Sequence, residues 1–369
     1  MITNSPRRVA FVFVSMPVGG AEDFALSVAT HLGPEFEAHF VCLRELGLLG
    51  EEAKAAGLPV HLVPVYRSRG LNPFGSRRLA DWLRREKISL VHSQNHHAHI
   101  FATRAARAAG IPAVVHQQKT LEAMPWRRRL QLRGSLRRAD RVLALSPDTA
   151  RDLAAAYHVP VGKISVVPNA IDRGQFFPAP DRAAIRRELG LPQGGLLMGT
   201  AARLHPHKNH AVIIEALALL QARGTDVRAL FLGDGPLRAD LERLAVEKAV
   251  ADRVHFAGRR RPVAPWLQAL DVFVLPSIWE GQPLALLQAV ACGLPVLASA
   301  IEGNTAVLGS RHPGLFPPAD APQLARLIAA SMKDPDFAGN LLEHQRNSPV
   351  PYSREVASLL KAVYQTALA

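Results

Sequence analysis

The stretch LLMGTAARLHPHKNHAVIIEALALL, residues 196–220, joins a short apolar run to an apolar helix pattern through a basic, polar loop. LLMGTAA suits a strand buried on both faces, and AVIIEALALL is apolar around most of its circumference. A strand feeding a helix in this way is half of a βαβ unit. The unit recurs along the chain. In the first half RRVAFVFVS, AHFVCL, VHLVPV, LVHSQ, AVVHQ and RVLALS read as strands, with helices such as AEDFALSVATHL and SRRLADWLRREK between them. After ISVVPNAIDRGQFFPAPDR the pattern restarts with LLMGTAAR, RALFLGDG, VHFAG, VFVLPS and PVLAS. The reading is α/β, with two similar parallel-sheet halves, a Pro-rich hinge near residues 170–185, and a last helix, REVASLLKAVYQTALA, able to pack on either half.

Composition sets the bounds of this reading. A chain of 369 residues exceeds one core and indicates roughly two domains of about 150 residues each, hence a cleft. With 48% hydrophobic and 20% charged residues it is globular, without a low-complexity tail. Cys42 and Cys292 lie in apolar runs and read as core thiols of a reducing compartment. The start, MITNSPRRVAFVFVSMPVGG, lacks a signal-peptide layout, and Gly293-Leu294-Pro295 divides the longest apolar stretch into helix and strand. A cytoplasmic location is expected. The formal charge of +13 favours an anionic partner, whether nucleic acid, lipid headgroup or phosphorylated substrate.

Ligands of open α/β sheets sit beyond the carboxyl ends of the strands, so the loops there carry the candidates. Arg203 and Lys208 could offer a phosphate a fork of donors, a point charge and a helix start, or they could be solvated loop cations. In EGQPLALLQAVACG, Pro283 suits a first helical turn, so Gly281 and Gln282 precede a helix start. Glu280 accepts from sugar hydroxyls or caps the helix; Gln288, four residues after Leu284, reaches hydroxyls or is a half-buried amide. Gly19 and Gly20 permit close backbone approach or simply a tight turn. His116 ends a strand where a cleft residue belongs, with a core histidine as the alternative. His92, His96, His97 and His99 lack the carboxylate or cysteine neighbours of a metal site. Asp334 to Asp336 read as an exposed turn. The segment WRRRLQLRGSLRRADR reads as a basic helix, weakened by Gly134 in its middle, for an anionic membrane, nucleic acid or solvent. No Walker-type loop or GxGxxG follows a strand.

In order, GGAE, HSQN, PAVVHQ, ALSPDTARDL, VVPNAID, AARLHPHKNH, LGDGPLR, HFAG, DVFVLPSIWEGQPLALLQAVACGLPVLAS and PPAD resemble the retaining glycosyltransferases of the GT-B fold, family 4 (group 1) type. The resemblance covers most of the chain. It implies two Rossmann-like domains facing across a cleft: residues 1–175 bind the acceptor, residues 186–350 bind the nucleotide sugar, and the helix 351–369 crosses back. It further implies that Gly19 and Gly20 lie against the donor diphosphate or the acceptor and that His116 faces the transferred sugar. Arg203 and Lys208 would hold the diphosphate. Glu280 would contact the sugar, with the backbone from Gly281 through Gln282 and Pro283 to Leu284 near the phosphates, and Gln288 would bind ribose. Two departures stand out. Gln288 replaces the family's usual second Glu, and EGNTAV places Ala306 at the usual acid of GG-x-x-E.

The implied activity is that of a hexosyltransferase, moving a sugar from a nucleotide-diphosphate donor to a hydroxyl of a lipid-linked or envelope-glycan acceptor, such as lipopolysaccharide, with retention. The two cations replace a metal, so none is required, and no nucleic acid is expected. Trp126, Arg127, Arg128, Arg129 and Arg133 would meet the acceptor or the anionic cytoplasmic face of the membrane. The rivals are a nucleotide-sugar epimerase of the same fold and a catalytically decayed polyanion-binding protein.

Overall fold

The computed structural model describes residues 5–67, 70–71, 74–117 and 125–369, with only the backbone given at 66–67 and 70–71. The chain forms two compact units: Met1–Ala170 with Pro351–Ala369, and Ile171–Val350. The first contains β1 (Arg7–Phe13), β2 (Phe36–Cys42), β3 (Val60–Leu62), β4 (Tyr66–Arg67), β5 (Gly70–Leu71), β6 (Ile88–Ser93), β7 (Ala113–Gln117), β8 (Arg141–Ala144) and β9 (Ile164–Val166). Seven of these form a parallel sheet in the order β3-β2-β1-β6-β7-β8-β9, and β4 and β5 form a short antiparallel pair.

Alternation along β1 explains why the sheet is covered on both faces. Val9, Phe11 and Phe13 enter one core with Phe24, Phe40 and the C-terminal helix Ser353–Leu368. Ala10 and Val12 point the other way, onto Leu79 and Leu83 of the helix Gly75–Arg85 and Phe101 and Ala102 of the helix His96–Ala109. The C-terminal helix joins the first core through Val356, Ala357, Leu360, Val363 and Tyr364, a stripe at helical spacing. Its partner, open in the sequence, is thereby decided.

Tyr364 also explains the histidine-rich stretch. Gln94 Nε2 donates to His92 Nε2 at 3.1 Å, so His92 Nδ1 carries the ring proton and donates it to the Tyr364 oxygen at 2.6 Å. Burial holds His92 well below the ordinary imidazole range, which keeps it neutral. His99 Nδ1 lies 2.8 Å from Ser93 Oγ, and the helix is capped by Asn95, whose side chain accepts from Ala98 N. Replacing Tyr364 by phenylalanine leaves a buried N–H donor without its acceptor. A loss of about 1–3 kcal/mol in denaturant unfolding is expected; an unchanged midpoint would contradict this account.

The second unit contains β10 (Leu196–Ala201), β11 (Val227–Leu232), β12 (Val254–Gly258), β13 (Val272–Leu275), β14 (Val296–Ser299) and β15 (Leu315–Phe316), all parallel in the order β12-β11-β10-β13-β14-β15. Met198, Phe231, Val274 and Leu297 pack under the helices Ala211–Gln221 and Ala321–Lys333. At the opposite end of the strands, Asp271 accepts from Arg186 Nη2 at 2.6 Å, Arg182 Nη1 at 3.1 Å and Leu197 N at 2.8 Å. This ties the helix Arg182–Glu188 to the starts of β10 and β13.

Several local readings change. The edge strands β9 and β15 are two or three residues long and carry too little periodicity to be read from sequence. Gly134 does not interrupt its helix, which runs Trp126–Arg138; Arg138 Nη1 donates to Gly134 O at 2.6 Å. Asp334 to Asp336 are exposed between two helices as expected, with Asp334 also capping the helix Pro335–Arg346 by accepting from Asp336 N and Phe337 N.

Candidate functional site

In each sheet the strand order reverses once, between β1 and β6 in the first unit and between β10 and β13 in the second. Crossover connections leave such a point in opposite directions, so the two loops there splay apart and leave a crevice at the carboxyl edge. In the second unit those loops are 202–210, carrying Arg203 and Lys208, and 276–283, carrying Glu280. Residues remote in sequence are brought together.

Lys208 Nζ donates to Glu280 Oε1 at 2.5 Å, and Ser277 Oγ donates to the same oxygen at 2.6 Å. The two charged side chains are 19% and 9% exposed, so the pair is sheltered but still reached by solvent. Glu280 is thus not a helix cap: its Oε1 takes both the Lys208 ammonium and the Ser277 hydroxyl, which holds Lys208 in place. Ser277 is held in turn. Ser299 Oγ donates to Ser277 O at 2.5 Å, and Asn304 Nδ2 donates to Ser299 O at 2.9 Å. A Cβ at Gly303 would lie 2.5 Å from Glu280 O, so only glycine allows this close packing. The segment EGNTAV therefore braces the Glu280 loop, while Ala306 is exposed.

The loop with Arg203 is fixed differently. Ala202 N donates to Leu232 O and Leu204 N to Asp234 O, which lays residues 202–204 along the LGDG turn. A Cβ at Gly233, whose φ is +143°, would sit 2.0 Å from Ala202 O, and one at Gly235 2.3 Å from Leu204 O. Those two glycines let the backbones touch. Arg203 itself is exposed. His207 lies among Arg203, Lys208, His205 and Glu280. Burial, then Lys208, opposed by Glu280, holds its imidazole down to about 4.

The helix starts contribute less than the sequence suggests. In the helix Ala211–Gln221 the N–H groups of Val212 and Ile213 turn back on Asn209 O and His210 O. An anion there would rely on Arg203 and Lys208. His210, fully buried, has neither ring nitrogen hydrogen-bonded, and burial keeps it down to about 3. The other helix begins at Leu284, with Pro283 just before it and not inside its first turn. Gly281, Gln282 and Leu284 are half-buried, Pro283 is buried, and Gln288 is 9% exposed on the helix.

In the first unit Gly19 precedes and Gly20 begins the helix Gly20–Ala29. Glu22 and Asp23 occupy its first turn and already complement the positive end, which makes it a poor seat for a second anion. His116 was expected to face a cleft; instead it has no accessible surface, lying edge-on to Phe24 at 5.0 Å and beside His92 at 5.5 Å. Burial drives its imidazole down to about 3. On the helix Trp126–Arg138, Leu132, Ser135 and Leu136 face inward. Trp126 is 66% exposed, Arg127, Arg128 and Arg129 are exposed beside it, and Arg133 is half-buried. Arg127 lies over the Trp126 ring at 5.4 Å. Among the described residues, no group of three or more His, Cys, Asp or Glu could hold a metal ion, and no helix is long and apolar enough to cross a membrane.

The arrangement was only partly visible in sequence. Ser277, Ser299, Asn304 and Gly303 were missed, as were the roles of Gly233 and Gly235. The LGDG and EGN segments were the available signal, since small and polar residues directly after apolar strands mark carboxyl-edge loops.

Residues 18–175 match the family described as Glycosyltransferase Family 4, and residues 196–334 that described as Glycosyl transferases group 1. The chain is 31% identical over 334 residues to UDP-Gal:alpha-D-GlcNAc-diphosphoundecaprenol alpha-1,3-galactosyltransferase of Escherichia coli, across 85% of this chain and 84% of that protein. In fold it is similar to Anabaena Alr3699/HepE, solved with UDP-glucose, with a TM-score of 0.79 at 20% identity and 98% of each chain covered. A glycosyltransferase from Rickettsia africae gives a TM-score of 0.81 at 16% identity, with 99% of each chain covered.

Proposed function

Because the chain belongs to the group 1, family 4 glycosyltransferases of the GT-B fold, we propose that it moves a sugar from a nucleotide-diphosphate donor to a hydroxyl of a lipid-linked or envelope-glycan acceptor, with retention. The observation that carries this reading is the Lys208–Glu280 pair, with Arg203 on the same loop as Lys208, at the point where the sheet order reverses. Two cations against one carboxylate leave a net positive site for a diphosphate. The relative from Escherichia coli, named for a UDP-sugar donor and a diphosphoundecaprenol-linked acceptor, supports the donor and acceptor classes.

In the proposed reaction the bond from the anomeric carbon to the leaving phosphate oxygen breaks, and a bond to the acceptor oxygen forms on the same face. The acceptor proton passes to that phosphate oxygen. Arg203 and Lys208 stabilise the charge that builds on the leaving diphosphate, and Glu280 keeps Lys208 aimed. Since these cations supply the positive charge, no metal is required. Gln288 takes the place of a carboxylate at the ribose, and Gly19 and Gly20 serve the acceptor, because the acidic first turn disfavours a phosphate there. His116, shut in the core, is left out of the reacting set. The exposed Trp126 and Arg127 to Arg129 support docking of the first unit on anionic lipid at the cytoplasmic face.

A thermal-shift panel of UDP-, GDP- and ADP-sugars, with and without magnesium, tests this. At least one donor should raise the melting temperature of the wild type, since a ligand at 100 times its Kd adds about 2.7 kcal/mol. Arg203→Ala should lose most of that shift. No response to any donor would refute the donor reading, and a strict need for magnesium would refute the metal-free one. Transfer to a diphospholipid-linked N-acetylglucosamine, with the product anomer read by NMR, then checks acceptor class and retention.

A further inference from the structure

Ile278 and Trp279 are neighbouring large apolar side chains left 51% and 43% exposed in the whole chain, directly before Glu280 at the carboxyl end of β13. Exposing an indole forgoes favourable burial, so its position calls for a reason. One face of the Trp279 ring is covered: the His207 imidazole stacks on it with centroids 4.8 Å apart and planes 22° apart. His207 is itself held, its Nδ1 lying 2.8 Å from His205 Nδ1, while Ile278 N donates to His207 O at 2.8 Å. The indole is therefore held through one face and still 43% exposed, so a ligand would find it already oriented and lose little entropy in ordering it. With its pKa down to about 4, His207 stays neutral across the working range and the stack does not titrate away.

A flat, uncharged aromatic surface can stack a nucleobase or a pyranose, and a carboxylate beside it favours the ring that carries hydroxyls. The C–H face of a pyranose packs on an aromatic ring, and the hydroxyls at its rim reach a hydrogen-bonding carboxylate. A phosphate or a carboxylate gains nothing from an indole face. We propose that Trp279, clamped by His207, is a stacking platform for a pyranose ring bound beside Glu280, and that it sets affinity for the sugar and not for the nucleotide. This rests on the glycosyl-transfer reading above. The ring is either that of the donor sugar or that of the acceptor.

Calorimetry with UDP, UDP-glucose, UDP-galactose and UDP-N-acetylglucosamine, followed by transfer assays on the diphospholipid-linked N-acetylglucosamine, tests it with wild type, Trp279→Ala and Trp279→Phe. In the alanine variant the sugar-bearing ligand should weaken by roughly 3- to 10-fold, with UDP affinity unchanged and most of the loss restored in the phenylalanine variant. Weakened UDP-sugar binding places the donor ring on the platform; a raised acceptor KM alone places the acceptor ring there. If UDP weakens in step with UDP-sugar, or if alanine matches wild type in every measurement, the proposal is overturned. A wild type that responds to none of the UDP-, GDP- and ADP-sugars of the thermal-shift panel removes the donor reading as well, which separates the two failures.

Discussion

Lys208→Ala is expected to lower kcat by roughly 10²–10³, the scale found when one preorganised donor to a developing anion is removed. The ammonium is held at 2.5 Å by Glu280, whose Oε1 is fixed in turn by Ser277. It therefore needs no reorganisation when charge builds on a leaving diphosphate. Losing it also leaves Glu280, 9% exposed, without its cation, so the variant presents a sheltered negative charge where an anion should bind. Glu280→Gln is the informative comparison. It keeps an oxygen for Lys208 and Ser277 but removes the charge, so its loss should be smaller and should fall on sugar discrimination more than on nucleotide affinity. Steady-state kinetics with the donor found in the thermal-shift panel decides the matter. A Lys208→Ala enzyme within threefold of wild type would show that the leaving group is stabilised elsewhere.

Asp271→Ala should remove roughly 3 kcal/mol from the stability of the second unit, the low end of the usual cost of breaking a buried ion pair from one side, because the Asp271 side chain is itself 25% exposed. Arg186 is only 6% exposed, and its Nε also donates to Ala269 O at 2.7 Å. Without the carboxylate its charge is stranded, and Leu197 N, at the start of β10, loses its acceptor as well. The Arg182 arm, 41% exposed, adds little. Against a typical total of about 5–15 kcal/mol this is a large share. Urea unfolding measures it, and the double variant Arg186→Met with Asp271→Leu should recover part of the loss because the stranded charge is gone. Equal stability of Asp271→Ala and wild type would mean that the pair is solvated in solution.

Both predictions depend on contacts that sequence reading approached from one side only. Arg203, Lys208 and Glu280 stood out because each follows an apolar run in a loop, which is a local pattern. What Glu280 does was not legible. As a residue before a helix it reads as a cap or a hydroxyl acceptor, and only the position of Lys208, 72 residues away, turns it into the partner of a cation. His116 shows the reverse case. The end of a strand is where a cleft residue belongs, yet the packing of Phe24 and His92 around it closes that end.

The sequence by itself determined the alternation of strand and helix, the division into two α/β halves and the loops on which the chemistry-bearing residues ride. Apolar periodicity and turn residues act within a few positions of one another, so they survive in the linear order. Tertiary structure alone decided that β10 lies beside β13, that Trp279 stacks on His207, and that Tyr364 reaches back to His92, which is 272 residues away. Strand order is set by which crossover buries the most apolar surface over the whole unit. That is a property of the assembled core, and no short stretch of chain contains it.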